Sequence, residues 1–355
     1  MGAAPIPAGA VTCDQQSTLT RPIPLGVSGG NINSFLQIHH KLFCTSGTLG
    51  ALVQDASNNQ FILSNNHVLA DINSAQPGEL IVQPGLAEQA IGCQQMTGDA
   101  VATFTRAVKI NFGGKNTNTI DAAIAAVITP NKVSDVGEIL NIGVIASSVA
   151  TPSVGLGVQK MGRTTCLTSG TISSIGGRFK VSYGAGKTAK FVNQIVIKGP
   201  RSPNNFGGPG DSGSLIVTQD SCPQAVGLLF AGNRKQTQTL VNPISDVLSG
   251  LGVSMVGSCT PAAASGLSQP QVEAADVGMS KKDVDSATAV RDRHEDELMK
   301  IPGAVGTAIG KSDQPGQPAI EVYIDKMTPQ AKRAAPKEVE GVPVKLIENG
   351  GFVAY

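Results

Sequence analysis

Through residue 257 the chain alternates short apolar runs with clusters of turn residues. The runs include Gly50-Ala51-Leu52-Val53, Gln60-Phe61-Ile62-Leu63, Leu80-Ile81-Val82, Ala100-Val101-Ala102-Thr103-Phe104 and Thr119 to Val127. Gly170-Thr171-Ile172, Phe191 to Ile197, Ser214 to Val217, Ala225 to Phe230 and Leu240-Val241 continue the series. Turn chemistry such as Ser57-Asn58-Asn59 and Gln83-Pro84-Gly85 separates them. Strands at this spacing predict an all-β sandwich or barrel, with Ile244 to Leu251 as a short closing helix. Residues 1–45, rich in Pro, Gly, Asn and Ser, read as an irregular lead-in.

The pattern changes after Ser258. Residues 258–279 are linker-like, with Thr260-Pro261-Ala262-Ala263-Ala264-Ser265-Gly266 as their centre. Residues 280–355 then predict a separate small α-β-β-α-β domain of the α+β kind. Its first helix, Ser280 to Lys300, carries Val290, His294 and Leu298 at four-residue steps, which predicts one partly buried stripe. Two strands follow, Ala304 to Lys311 and Ala319 to Asp325. A short helix comes next, with Thr328 as its cap and Pro329 at its first position, and then a strand from Val342 to Ile347.

Composition narrows the class. Apolar residues at 41% and charged residues at 15% of 355 permit a sizeable core. A net charge of +1 without a Lys/Arg block, no Trp and three Tyr give neither the cations nor the stacking surfaces that nucleic-acid binding uses. No apolar run reaches the roughly 20 residues of a membrane span. The opening Met1-Gly2-Ala3-Ala4-Pro5-Ile6-Pro7 has no secretory pattern, so the expected location is cytoplasmic unless a leader is missing from this chain. The six cysteines (Cys13, Cys44, Cys93, Cys166, Cys222, Cys259) form no C-x-x-C pair, so no metal site or cofactor is expected. Their even number permits disulfides, but without an export signal free and mostly buried thiols are favoured.

The candidate chemistry centres on Asn205-Phe206-Gly207-Gly208-Pro209-Gly210-Asp211-Ser212-Gly213-Ser214. A glycine-rich loop can hold Ser212 exposed while its N–H groups converge on one point, as stabilisation of an oxyanion requires. A glycine-rich hairpin turn would give the same composition. A serine hydroxyl needs a base, usually a histidine oriented by a carboxylate. Of four histidines, His39-His40 reads as a surface pair and His294 belongs to the C-terminal domain. His67 ends the apolar strand Phe61-Ile62-Leu63-Ser64-Asn65-Asn66-His67, where a structural role is the default. Asp121 lies among small and apolar residues inside a strand, a costly position unless an imidazole hydrogen-bonds it. An edge strand facing water is the alternative.

The order His67, Asp121, Ser212 is that of the chymotrypsin type. With Gly47-Thr48-Leu49-Gly50-Ala51, Gly162-Arg163-Thr164-Thr165 and Asn242-Pro243-Ile244, the segment from about residue 40 to 252 resembles the trypsin-like (chymotrypsin-fold) serine peptidases. The resemblance implies two six-stranded barrels, residues 46–257, with the site in the cleft between them. It implies His67 as general base and acid, Asp121 as its orienter, Ser212 as nucleophile and the N–H groups of Gly210 and Ser212 as the oxyanion hole. Val68 stands where animal digestive relatives carry a cysteine, so the bacterial branch is the better likeness. The expected function is a serine endopeptidase acting on protein or peptide substrates. The alternative is a protease-fold binding or regulatory protein with an idle triad; motif and order both speak against a lipase or esterase.

Phe206 falls at the pocket base implied by the resemblance, and Gly232 is placed in the same specificity pocket, so an apolar or small residue before the scissile bond is expected. No free Ile-Val-type amine is evident to pair with Asp211, which is therefore expected to be satisfied internally. The C-terminal residues resemble a small domain that accompanies some bacterial trypsin-like proteins, in Ile301-Pro302-Gly303-Ala304-Val305-Gly306 and Ile320-Glu321-Val322-Tyr323-Ile324. Inhibition, substrate recruitment, binding of a regulatory partner and simple packing are all compatible with it.

Overall fold

The structure, a computed structural model, describes residues 14–38, 41–88, 93–94, 96–113, 116–128, 131–199, 205–261 and 278–355. Its first sheet is built from β1 (Val27–Asn31), β2 (Gly47–Leu49), β3 (Ala51–Gln54), β4 (Gln60–Ser64), β5 (Leu80–Val82), β6 (Ala100–Ala107) and β7 (Ala123–Val127). The helix α1 (Asn66–Leu69) follows β4. The strands pair in the order β3-β4-β7-β6-β5-β1-β2. Because β2 runs into β3 through Gly50, the sheet curls round on itself as a six-stranded barrel.

The second sheet contains β8 (Gly157–Lys160), β9 (Thr168–Ser182), β10 (Thr188–Lys198), β11 (Leu215–Thr218), β12 (Ala225–Asn233) and β13 (Gln238–Pro243). They pair as β9-β8-β11-β12-β13-β10, and a β9–β10 pairing closes the ring. The chain is thus an all-β double barrel of the chymotrypsin type. Helix α2 (Ile244–Leu251) buries Ile244, Val247 and Leu251 and ends in left-handed Gly252. β14 (Ser254–Met255) then returns to β3.

Several strands are apolar on both faces because each divides its side chains between two cores. In β4, Ile62 points into the first barrel, whereas Phe61 and Leu63 join a cluster with Leu215, Val217, Leu228, Val247 and Leu251. In β11, Ile216 fills the second barrel while Leu215 and Val217 face the first. A two-residue period with both faces buried gives continuous apolar runs in the sequence. The shared cluster fixes one barrel against the other and so fixes the cleft between them.

The expectation of an irregular lead-in is corrected. Val27–Asn31 is a fully buried strand, and Ile23 and Leu25 bridge to Val133 and Ile139. Gly29 misleads the sequence reading: a Cβ there would lie 2.5 Å from Leu49 Cγ, so its glycine serves close packing. The expectation of free thiols is also corrected. Cys44–Cys93 and Cys222–Cys259 are disulfides with Cα separations of 5.2 and 5.7 Å, within bridging range. Cys166 is disulfide-bonded as well, and none of the described cysteines is free. Loops bring these partners together from 49 and 37 residues apart, which spacing alone does not reveal.

Beyond the linker come α3 (Lys281–Leu298), β15 (Ala304–Lys311), β16 (Pro318–Ile324), α4 (Pro329–Ala334), β17 (Val342–Glu348) and β18 (Phe352–Ala354). Ser280 caps α3 by accepting the N–H of Asp283, and Thr328 caps α4 by accepting that of Ala331. Ala287, Val290 and Leu298 pack on β15 and β16. His294 does not complete that stripe; it turns to Glu297 and Glu340 at the surface, the imidazole finding two carboxylates there.

These elements are not set apart from the barrels. β15 pairs antiparallel with β9, extending the second sheet through β16 and β17. At the junction buried Glu321 accepts hydrogen bonds from Ser174 Oγ (2.5 Å) and Tyr323 Oη (2.7 Å). His39-His40, Cys13 and residues 262–277 of the linker lie outside the described residues. No described helix is long and apolar enough to cross a membrane.

Candidate active site

β4 ends at Ser64, and α1 turns at once, drawn down by buried Val68 and Leu69. Two asparagines hold this turn. Asn65 Nδ2 donates to the Asp121 carbonyl (2.6 Å), and Asn66 Nδ2 donates to Asn73 Oδ1 and the Val108 carbonyl (2.8 Å each). His67 is thereby presented at the cleft with its side chain only 9% exposed. Its Nδ1 lies 2.6 Å from Asp121 Oδ2, and its backbone N–H donates to Asp121 Oδ1 at 3.3 Å.

Asp121 is fully buried, but the structure places it just ahead of β7 rather than within a strand. The chain there is held by Asn242 Oδ1, which accepts the Asp121 N–H (3.0 Å), while Asn242 Nδ2 donates to Gln194 Oε1 (2.6 Å). The carboxylate has a further donor, Tyr183 Oη, at 2.7 Å from Oδ2. Burial, followed by the nearby Asp121 carboxylate, pushes the Tyr183 phenol well above its ordinary pKa, so it remains a proton donor. Tyr183 also meets the His67 ring edge-on, with centroids 5.9 Å apart.

The serine loop is fixed from both barrels. Thr48, in the bent β2–β3 strand, donates Oγ1 to the Gly210 carbonyl (3.0 Å) and its N–H to the Ser212 carbonyl (2.8 Å). Gly213 has φ +92°, and a Cβ there would lie 2.1 Å from Ser64 Oγ, so only glycine allows this approach. Asp211 is buried and accepts from the N–H groups of Thr164 (2.8 Å), Thr165 (3.1 Å) and Gly208 (2.9 Å) and from Thr165 Oγ1 (2.7 Å). Lys160, also fully buried, brings Nζ within 3.5 Å of Asp211 Oδ2. Burial lowers the Lys160 pKa, and Asp211 opposes that shift. Asp211 therefore has its donors and its cation from within the second barrel.

Ser212 is not exposed as the loop sequence suggests; it is fully buried. Its Oγ donates to the Tyr355 backbone oxygen at 2.7 Å, and His67 Nε2 lies 3.0 Å from the same oxygen. The structure thus brings His67, Asp121 and Ser212 to one point, with Tyr355 lying over the serine. Gly210, at φ +99°, directly precedes Asp211 and Ser212 in the loop proposed to supply the oxyanion donors. Of the pocket residues, a Cβ on Gly232 would sit 1.9 Å from Tyr355 Oη. Phe206 is buried in the cluster against which Tyr355 packs.

Sequence reasoning missed Tyr183, Lys160 and the segment ending in Tyr355. A weak signal existed for Lys160, which shares a strand face with buried Val158. Another existed for Tyr183, one of three tyrosines in the whole chain. Among the described residues no cluster of His, Cys, Asp and Glu is arranged to hold a metal ion.

Fold and site together define a double-barrel protein of the trypsin-like serine-peptidase type, with a His-Asp-Ser arrangement at the barrel interface. The model of the Nal1 C-terminal domain matches residues 28–246, more than half of the chain, so the protein belongs to that family. No curated protein matches the chain. Among solved structures it is similar to a glutamic-acid-specific serine protease described as using a histidine triad in substrate binding. That likeness has 17% identity and a TM-score of 0.43, covering 66% of this chain and 100% of the other. Thermobifida fusca Protease A is similar at 17% identity and TM-score 0.40, with 64% of this chain and 98% of the other covered. Nocardiopsis protease gives 17%, 0.41, 64% and 97% in the same order.

Proposed function

We propose that the protein is a serine endopeptidase that hydrolyses peptide bonds through an acyl-enzyme. The observation that carries this reading is the meeting of Ser212 Oγ and His67 Nε2 on one backbone oxygen, with Asp121 2.6 Å behind the imidazole. In the proposed reaction Ser212 Oγ attacks the substrate carbonyl carbon as His67 Nε2 takes its proton. Asp121 holds the imidazole with Nδ1–H pointing inward, and the Gly210 and Ser212 N–H groups receive the developing oxyanion. His67 then gives the proton to the leaving amine. Water, deprotonated by the same imidazole, releases the acyl group and regenerates the Ser212 hydroxyl.

Asp211 supports this reading too. Lys160 and the 164–165 amides satisfy it without a newly freed N-terminal amine, so no trypsin-style activation cut is needed for the serine loop. The disulfides favour a location in an oxidising compartment over the cytoplasm.

The test is prolonged incubation of the full chain with a fluorophosphonate probe. Covalent labelling that maps to Ser212 and disappears in Ser212→Ala is the expected result. A folded protein that stays unlabelled, with and without residues 352–355, would leave the binding-protein reading in its place.

A further inference from the structure

β17 ends at Glu348, and Asn349-Gly350-Gly351 turns the chain sharply. Gly350 and Gly351 have φ of +79° and +78°. The turn is fastened on both sides. Asn349 accepts at its carbonyl from Asn233 Nδ2 (3.0 Å) and donates its N–H to the Ile324 carbonyl (3.0 Å), while its Oδ1 receives the Gly351 N–H (3.0 Å). From there the chain runs directly to the serine.

β18 enters as a strand between two others. Phe352, Val353 and Ala354 pair antiparallel with Asn233, Gly232 and Ala231, and Phe352 and Val353 pair parallel with Val181 and Ser182. Phe352 is 2% exposed and meets the Phe179 ring edge-on at 4.9 Å. The Tyr355 N–H donates to the Phe230 carbonyl (3.3 Å). The Tyr355 ring lies over Gly232, and its hydroxyl reaches the Asn233 carbonyl at 3.4 Å. Its backbone oxygen is the one that Ser212 and His67 share.

Direction and register matter here. A peptide to be cleaved must add to the cleft as a strand and present one carbonyl to the nucleophile, with the preceding side chain in a pocket. Residues 352–355 add as a strand, set the Tyr355 ring over Gly232 and bring the Tyr355 backbone oxygen to Ser212 Oγ and His67 Nε2. We propose, resting on the endopeptidase reading, that this segment is a tethered substrate-like inhibitor that holds the resting protein closed. Tyr355 marks the residue the cleft prefers before the scissile bond, a large aromatic one. Gly232 makes room for the ring, and the Asn233 carbonyl favours tyrosine by accepting its hydroxyl. Activity then requires the segment to leave, and the C-terminal elements that carry it are the control.

The experiment compares the full chain, Tyr355→Gly and a chain ending at Gly351. The readouts are the rate of fluorophosphonate labelling at Ser212 and hydrolysis of peptide anilides carrying Tyr, Phe, Ala, Glu or Arg before the scissile bond. A short tether holds its ligand at an effective concentration of order millimolar, so displacing it speeds both rates about 10- to 100-fold. Tyr355→Gly keeps Phe352 and its turn and so separates release of the pocket from loss of packing. The free tetrapeptide Phe-Val-Ala-Tyr should inhibit Tyr355→Gly and leave the full chain little changed.

Equal labelling rates in all three chains would overturn the tethered inhibitor while leaving the endopeptidase reading intact. Hydrolysis fastest after Ala, Glu or Arg would overturn the aromatic pocket. Absence of labelling in all three folded chains would overturn the endopeptidase reading itself.

Discussion

Lys160→Met removes the one cation that, among the described residues, pairs with Asp211 inside the second barrel, while keeping most of the side-chain volume. Both groups are fully buried, and Nζ lies 3.5 Å from Oδ2. At an effective dielectric of about 20, opposite unit charges at that distance attract by about 5 kcal/mol. Breaking a buried pair from one side typically costs about 3–5 kcal/mol, because the remaining charge stays buried. Asp211 keeps four other donors, which places the expected loss at the lower end, about 3 kcal/mol. Lys160 Nζ also donates to Thr165 Oγ1 (2.5 Å) and the Cys166 carbonyl (3.0 Å), so the 163–166 turn loosens with it. Asp211 is one residue from Ser212, and the disturbance should reach the N–H groups proposed as oxyanion donors. Urea denaturation should show the stability loss, and fluorophosphonate labelling of Ser212 in the Tyr355→Gly background should slow at least tenfold. A stability change under about 1 kcal/mol with unchanged labelling would refute the claim that Lys160 anchors the serine loop.

Other consequences can be checked separately. Tyr183→Phe removes a hydrogen bond to a carboxylate, worth about 1.5–3 kcal/mol; kcat on a peptide anilide should fall about 10- to 100-fold with little change in KM, because Tyr183 positions Asp121 and touches no substrate. Gly232→Val should exclude aromatic rings from the pocket, so the cleavage profile should shift toward smaller residues while circular dichroism stays unchanged. His294 has a pKa raised above its ordinary value by hydrogen bonds to Glu340 and then Glu297, and Glu340 is held down at about 2 by Arg293 and His294. Because the raised value belongs to the folded state, the contribution of protonated His294 is fully present below its unfolded pKa and is lost as pH rises through the folded one. An NMR titration should show His294 protonating above its unfolded value, with Glu340→Gln moving it back down.

The parts legible in the sequence were those that repeat or that chemistry restricts. Two-residue apolar runs located β3, β4, β6, β7 and most second-barrel strands, because each needs buried side chains on at least one face. Thr328-Pro329 located α4, since a cap and a proline leave little else possible. His67, Asp121 and Ser212 could be singled out because few histidines exist and the serine sits among glycines. What stayed hidden depends on distant partners. Val27–Asn31 reads as part of an irregular lead-in until Gly29 is seen against Leu49. Tyr183 is an unremarkable polar residue at the end of a long strand until β9 delivers it to Asp121. Phe352–Tyr355 carries too short a pattern to register, and its meaning comes wholly from where the Asn349-Gly350-Gly351 turn sends it.

The pairing of β15 with β9 bears on how the protein can be divided. A truncated chain stopped at residue 261 would strip the outer neighbour from the stretch of β9 between Ser174 and Phe179, leaving amide and carbonyl groups there without their β15 partners. Bare strand edges recruit other chains. The isolated barrels would therefore be prone to clump, and a weak signal from them would reflect aggregation and not chemistry. Dividing the polypeptide at Gly351 instead preserves every strand of the extended sheet except the short last one.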